Sequence, residues 1–170
     1  TTRQAMTLSM KALMDNRDQL QYFRDNMDKA QTMVEELIRY ASPVYHFRRT
    51  ATKDVEMRGK TIKEGDKVVT WFAAGNRDPR KFDDPNDIRI DRKNVREHVA
   101  FGRGSHSCLG APLARAEGRI SINRILDRMT NIRISEKDHG PEGNRHYDFE
   151  PTFIMRGLTS IHVEFDPVIT

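Results

Sequence analysis

The chain holds a single cysteine among 170 residues, and it stands in the run Phe101-Gly102-Arg103-Gly104-Ser105-His106-Ser107-Cys108-Leu109-Gly110. This run constrains the fold more than any other. Glycines at 102, 104 and 110 argue against a regular helix or strand, because glycine loses more backbone freedom on ordering than any other residue. They suit a loop that turns sharply and lets another group come close. Ala111-Pro112 follows, and proline in a first helical turn removes only an N–H that has no partner there. The loop therefore feeds a helix N-terminus, where unpaired N–H groups and a positive field favour a thiolate over a thiol. The amides of Leu109 and Gly110 lie where they can donate to the sulfur, and Phe101 can shield it from water. A lone cysteine is ordinarily a small buried hydrophobe. It forms no intramolecular disulfide framework and no Cys-x-x-Cys site, and with His106 it supplies only half of a four-ligand zinc site.

Periodicity around the loop predicts mainly helix with small sheets. Ala5, Met6, Leu8, Ala12 and Leu13 have helical spacing and stop at Asp15-Asn16-Arg17-Asp18; a short amphipathic stretch follows to Asp25. A further helix is predicted over Met27 to Tyr40, with Met33, Val34, Leu37 and Ile38 on one face. Ser42-Pro43 ends it, since a residue before proline avoids the helical region. Val55 to Ile62 and Lys67 to Phe72, turning at Gly59 and Gly65, read as small antiparallel strands. Asn76 to Asn94 is irregular, a length that is uncommon unless the segment is functional or packed on something. The helix after the Cys loop should run to about Thr130 with Leu113, Ala116, Ile120, Leu126 and Met129 on its apolar stripe. Ile132-Arg133-Ile134 and Ser160 to Phe165 alternate like strands, and Gly157 is expected in a hairpin turn between Phe153 and Ile161.

Composition narrows the classes of function. Residues are 32% charged and 36% hydrophobic, and no apolar run approaches the roughly 20 residues that span a bilayer. No membrane span is therefore expected. The net charge of +4 is spread among Lys, Arg, Asp and Glu without an aromatic-interleaved basic stripe, which gives no support to nucleic-acid binding. Thr1-Thr2-Arg3-Gln4 has neither an initiator Met nor the pattern of a signal peptide; a start inside a longer protein is the expectation.

The run Phe101 to Gly110 resembles the haem-binding loop of the cytochrome P450 family, F-G-x-G-x-H-x-C-x-G. The resemblance extends over the whole chain and implies the C-terminal, proximal-haem part of that fold, incomplete, with residues 1–170 forming part of a single domain. Its segments would be the end of the central helix, the E-x-x-R helix, the meander, the Cys loop, the proximal helix and the terminal hairpin. It implies haem b as cofactor, with Cys108 as the iron ligand and Phe101, Gly102 and Gly110 as the loop's contacts. A thiolate ligand pushes electron density onto haem iron and favours O–O cleavage. His106 would reach a haem propionate. Arg49 stands at the family's propionate-binding arginine, with Arg48 as its rival; the guanidinium fork suits a carboxylate.

Glu36-Leu37-Ile38-Arg39 is similar to the family's E-x-x-R pair, and Arg92 occupies the place of the meander arginine that joins it. That network implies a folding role. Thr1-Thr2 resembles the end of the oxygen-activating motif A-G-x-[DE]-T-T, which makes Thr1 a candidate catalytic residue. Val44, His46 and Leu158 fall where family members line the substrate pocket. The implied function is a bacterial, cytoplasmic monooxygenase that inserts one atom of O2 into a C–H bond of a hydrophobic, alkyl or sterol-like small molecule. Electrons would come from NAD(P)H through a ferredoxin and its reductase. A haem-binding protein without turnover, or an inactive incomplete chain, is the alternative.

Overall fold

The computed structural model describes residues 1–169; Thr170, the last residue of the expected domain, lies outside them. The chain opens with α1 (Thr2–Asp15) and α2 (Arg17–Asp25), broken at Asn16, whose extended backbone and side chain cap the last carbonyls of α1. A single 3-10 turn, Met27–Lys29, leads into α3 (Ala30–Ala41). Met33, Val34, Leu37 and Ile38 are all buried on that helix, each contributing roughly 1.5–3 kcal/mol over an exposed position. Ser42 ends α3 in the left-handed region at φ 39°, donating its amide to the Ile38 carbonyl at 3.0 Å, and Pro43 blocks any continuation.

The small sheets differ from expectation in one pairing. β2 (Val55–Met57) and β3 (Lys60–Ile62) form the hairpin around Gly59, but β4 (Lys67–Trp71) pairs antiparallel with β1 (His46–Thr50). Two adjacent arginines and a histidine hid β1 from a hydrophobic alternation test. A short α4 (Phe72–Gly75) follows β4, and the chain then crosses with no regular element but a 3-10 turn, Val95–Glu97, before the Cys loop.

The long helix α5 (Ala111–Arg128) starts where Pro112 requires and runs directly into β5 (Met129–Ile134). Its buried residues are Ala111, Gly118, Ile122 and Leu126. The expected stripe is therefore corrected: Leu113 is 64% and Ile120 54% exposed, because the face packed on α3 needs a small residue. A Cβ on Gly118 would lie 3.1 Å from Val34 Cγ1, so close approach of the two helices sets the stripe.

After β5, α6 (Glu136–His139) and an irregular stretch lead to β6 (Val163–Pro167), antiparallel to β5 with an irregularity at Asn131, φ 48°. Between them a single antiparallel bridge joins Phe149 to Leu158, with Glu150 N donating to Gly157 O and Thr159 N to Asp148 O. The hairpin turn therefore lies at residues 151–156, and Gly157 is on its return arm. Its lack of a side chain answers to packing: a Cβ there would sit 2.2 Å from Gln4 Cγ of α1. One core cluster joins α1, α2, α3, α5, β5 and the irregular segment through Leu13, Phe23, Leu37, Ile90, Ile122 and Ile134.

Candidate functional site

The irregular segment is held by the ion network at its base. On α3, Arg39 Nε and Nη2 reach Glu36 at 2.7 and 2.8 Å, and Arg92 Nε reaches both Glu36 oxygens at 3.1 Å. Glu36 and Arg39 are fully buried and Arg92 nearly so. The two guanidiniums also donate to the carbonyls of Asn76, Asp83, Asp84, Pro85 and Asp87. These carbonyls belong to a chain with no sheet or helix to pair them, so arginine forks take the place of secondary structure. Asn76 is a second hub: buried, it donates to Ser42 Oγ at 2.9 Å and accepts the Val99 amide at 2.7 Å. Val99 in turn leads into the Cys loop.

In that loop Gly102 and Gly104 have φ +68° and +76°, the left-handed region that favours glycine. The turn they create brings the Cys108 amide onto the Phe101 carbonyl at 2.8 Å, and the Cys108 carbonyl accepts Ala111 N at 3.2 Å as α5 begins. Gly110 differs: its φ of −81° needs no glycine. A Cβ there would instead stand 3.9 Å from Cys108 Sγ, so the sulfur lies along the open backbone of Gly110. Cys108 is exposed.

What Cys108 faces is an open cavity of ≈ 1010 Å³ bordered by α1, α3, β1 and α5. Thr1, Val44, Arg49, Phe101, Gly102, His106, Cys108 and Gly110 all border it. The remaining wall is largely apolar, including Ala5, Val34, Leu37, Phe72, Leu113 and Ile122. Of the two arginines on β1, Arg49 borders the cavity and Arg48, on the opposite face of the strand, does not. Of the three residues expected in the substrate pocket, only Val44 is in the wall. His46 is buried against Trp71 and Phe153, with Nε2 3.1 Å from the Phe153 carbonyl, and Leu158 is buried at the hairpin bridge. The strand pleat turns His46 away from the cavity.

The wall residues fit a haem. The volume stands at the upper end of the about 300–1,000 Å³ usual for cofactor sites. The wall offers a sulfur on one side and cationic or hydrogen-bonding groups at Arg49 and His106 for carboxylates. Among the described residues no group of three or more His, Cys, Asp or Glu is placed to hold a metal ion. A single sulfur ligand suits an iron that arrives already held by a cofactor. Leu113, exposed on α5 yet in the cavity wall, gains a partner if a flat apolar ring lies there.

Sequence reasoning missed the contacts that brace the loop from behind. Glu35, beside Glu36, is buried, with its oxygens 2.9 Å from His98 Nε2 and 2.6 Å from Arg115 Nε. The signal available was two consecutive acids inside the apolar stripe of α3.

A glycine-turned cysteine loop that feeds a long helix beside an apolar cavity is an arrangement that fits a haem-binding protein. The family profile described as Cytochrome P450 matches residues 9–145, and the chain belongs to that family. It superposes on Mycobacterium marinum cytochrome P450 CYP150A6 in the substrate-free form with a TM-score of 0.93 and 48% identity, covering 98% of this chain and 41% of that one. It is 35% identical over 166 residues to the biotin biosynthesis cytochrome P450 of Bacillus subtilis, covering 98% of this chain and 40% of the relative. With the steroid C26-monooxygenase of Mycolicibacterium smegmatis it shares 35% identity over 167 residues, again 98% of this chain and 40% of the relative. The chain thus spans about two-fifths of the length of the relatives it matches.

Proposed function

We propose that residues 1–170 are the C-terminal part of a cytochrome P450 domain whose full-length form is a haem-thiolate monooxygenase. The observation that carries this is Cys108 on the wall of an apolar cavity bordered also by Arg49, His106 and Thr1. Bound there, haem b would supply the activation of O2 for insertion of one oxygen atom into a C–H bond. Cys108 would hold the iron, its sulfur supported by amides at the start of α5. Arg49 and His106 would bind the propionates. Phe101 would keep water from the sulfur, and Thr1, also in the cavity wall, would hold a proton at its Oγ1.

Val34, Leu37, Val44 and Phe72 give the cavity an apolar lining, which favours a hydrophobic, alkyl or sterol-like substrate. The name of the steroid C26-monooxygenase relative supports the same class. Electrons would reach the site from NAD(P)H through a ferredoxin and its reductase. No helix of the described residues is long and apolar enough to cross a membrane, and cytoplasmic placement is part of this reading.

The test is turnover by the haem-loaded full-length protein with NAD(P)H, ferredoxin and reductase, on fatty acids, terpenes and sterols under isotopically labelled dioxygen. One labelled oxygen atom in the product, lost in Cys108→Ala, is expected. Haem binding without labelled product from any of the three classes overturns the monooxygenase reading.

A further inference from the structure

Helix α3 carries two adjacent carboxylates that face different networks. Glu36 serves the irregular segment. Glu35, 3% exposed, has its oxygens 2.9 Å from His98 Nε2 and accepts from Arg115 Nε at 2.6 Å and Nη2 at 3.2 Å. The Ala100 amide donates to His98 Nδ1 at 3.1 Å, which leaves the ring proton on Nε2, the atom facing Glu35. Burial pushes the Glu35 carboxyl up, but hydrogen bonds from His98 and Arg115 and the Arg115 charge outweigh it and hold it at about 2. The carboxylate is ionised in any neutral solution.

These partners stand on either side of Cys108 in the chain, and both touch Phe101. The Arg115 guanidinium lies 4.6 Å from the centre of the Phe101 ring, and the His98 ring 5.8 Å from it. Phe101 is also the residue whose carbonyl holds the Cys108 amide at 2.8 Å. A path of direct contacts therefore runs from Glu35 through His98 and Arg115 to Phe101 and the Cys108 backbone. Neutralising a buried cation does not explain the pair, because the Arg115 side chain is 38% exposed and Glu35 only 4%. Burying a carboxylate is costly where an apolar residue would pack, and both of its side-chain partners flank the Cys loop.

We propose that Glu35 is a positioning residue for the iron ligand: with His98 and Arg115 it clamps both ends of the Cys loop and fixes Phe101 where its carbonyl holds the Cys108 backbone. This rests on Cys108 being the ligand. The experiment uses the haem-loaded full-length protein and two readouts, the rate of haem transfer to apomyoglobin and the share of the ferrous carbon monoxide complex showing the red-shifted thiolate band.

Glu35→Gln keeps the shape and removes the charge. We expect haem transfer to accelerate about tenfold, the low end of what outer partners of metal ligands contribute, and the thiolate band to lose share. Arg115→Lys, at a partly exposed position, keeps the charge but loses the fork and the planar stack; it should move both readouts the same way, and it carries the test if Glu35→Gln does not fold. Glu36→Gln should lower the melting temperature without changing the band share. The proposal is overturned if Glu35→Gln or, failing that, Arg115→Lys lowers the melting temperature while haem transfer and band share stay at wild type. Persistence of the thiolate band in Cys108→Ala would instead overturn the ligand assignment.

Discussion

Replacing Arg92 with leucine should destabilise the protein far more than loss of a surface ion pair. Its Nε lies 3.1 Å from both Glu36 oxygens, and its two terminal nitrogens donate to the carbonyls of Asp83, Asp84 and Asp87. Leucine leaves the Asp83 carbonyl without its donor, while the Asp84 carbonyl keeps the Asp87 amide at 3.0 Å and the Asp87 carbonyl keeps Arg39. An unpartnered buried carbonyl costs about 1–3 kcal/mol, and a hydrogen bond to a charged group contributes about 1.5–3 kcal/mol. Burial of the leucine returns part of this. The net loss is about 3–5 kcal/mol, the range for breaking a buried ion pair from one side, against a total stability of about 5–15 kcal/mol. The assay is the denaturant midpoint of the haem-loaded full-length protein, with amide hydrogen exchange over residues 76–97. Accelerated exchange should concentrate there. Arg92→Lys should recover only a minor part, because one ammonium cannot reach Glu36 and the Asp83 and Asp84 carbonyls together. A loss below about 1 kcal/mol, the level of an exposed pair, or exchange raised evenly along the chain, would show that Arg92 does not hold the irregular segment.

Three further outcomes follow from particular contacts. The Glu35 carboxyl, held at about 2 against an ordinary 4.5, binds its proton less readily folded than unfolded. Its stabilisation is complete above pH 4.5 and is lost as pH falls toward 2; melting temperature against pH should flatten across that window in Glu35→Gln. Gly157→Ala places a methyl 2.2 Å from Gln4 Cγ and 2.8 Å from Gln4 Cβ and should cost about 1–3 kcal/mol as overpacking; Gln4→Gly in the same chain removes both contacts and should offset part of the loss, and additive losses would contradict the clash. Arg49→Ala should weaken haem retention by about tenfold, measured by transfer to apomyoglobin, while Arg48→Ala, on the other face of β1, should not.

Much of the site was legible because its chemistry needs particular residue types at short spacing. The Cys loop carries its own geometry in Gly102 and Gly104, and Pro112 marks the start of α5. Glu36 and Arg39 share one helical turn, yet that spacing alone describes an ordinary surface pair; the resemblance to E-x-x-R, with Arg92 downstream, is what marked it. What escaped was set by contacts distant in sequence. The strand β1 is charged where it borders the cavity edge, so no apolar alternation announced it. His46 was placed in the pocket by position alone, and the pleat that turns it toward Trp71 and Phe153 follows from pairing with β4. The stripe of α5 depends on Gly118 meeting Val34, an approach that hydropathy does not encode. Gly157 suited a turn, yet it is needed for the Gln4 side chain that crosses it. Glu35, His98 and Arg115 were three ordinary charged residues until the fold joined them.

The central claim is that Cys108 is the sulfur ligand of a haem held in the cavity above it. The most direct measurement is the carbon monoxide difference spectrum of the reduced, haem-loaded full-length protein, because thiolate ligation red-shifts the Soret band strongly. The wild-type protein should show the red-shifted band, and Cys108→Ala should lose it. No such band in the wild type, or an intact one in Cys108→Ala, contradicts it.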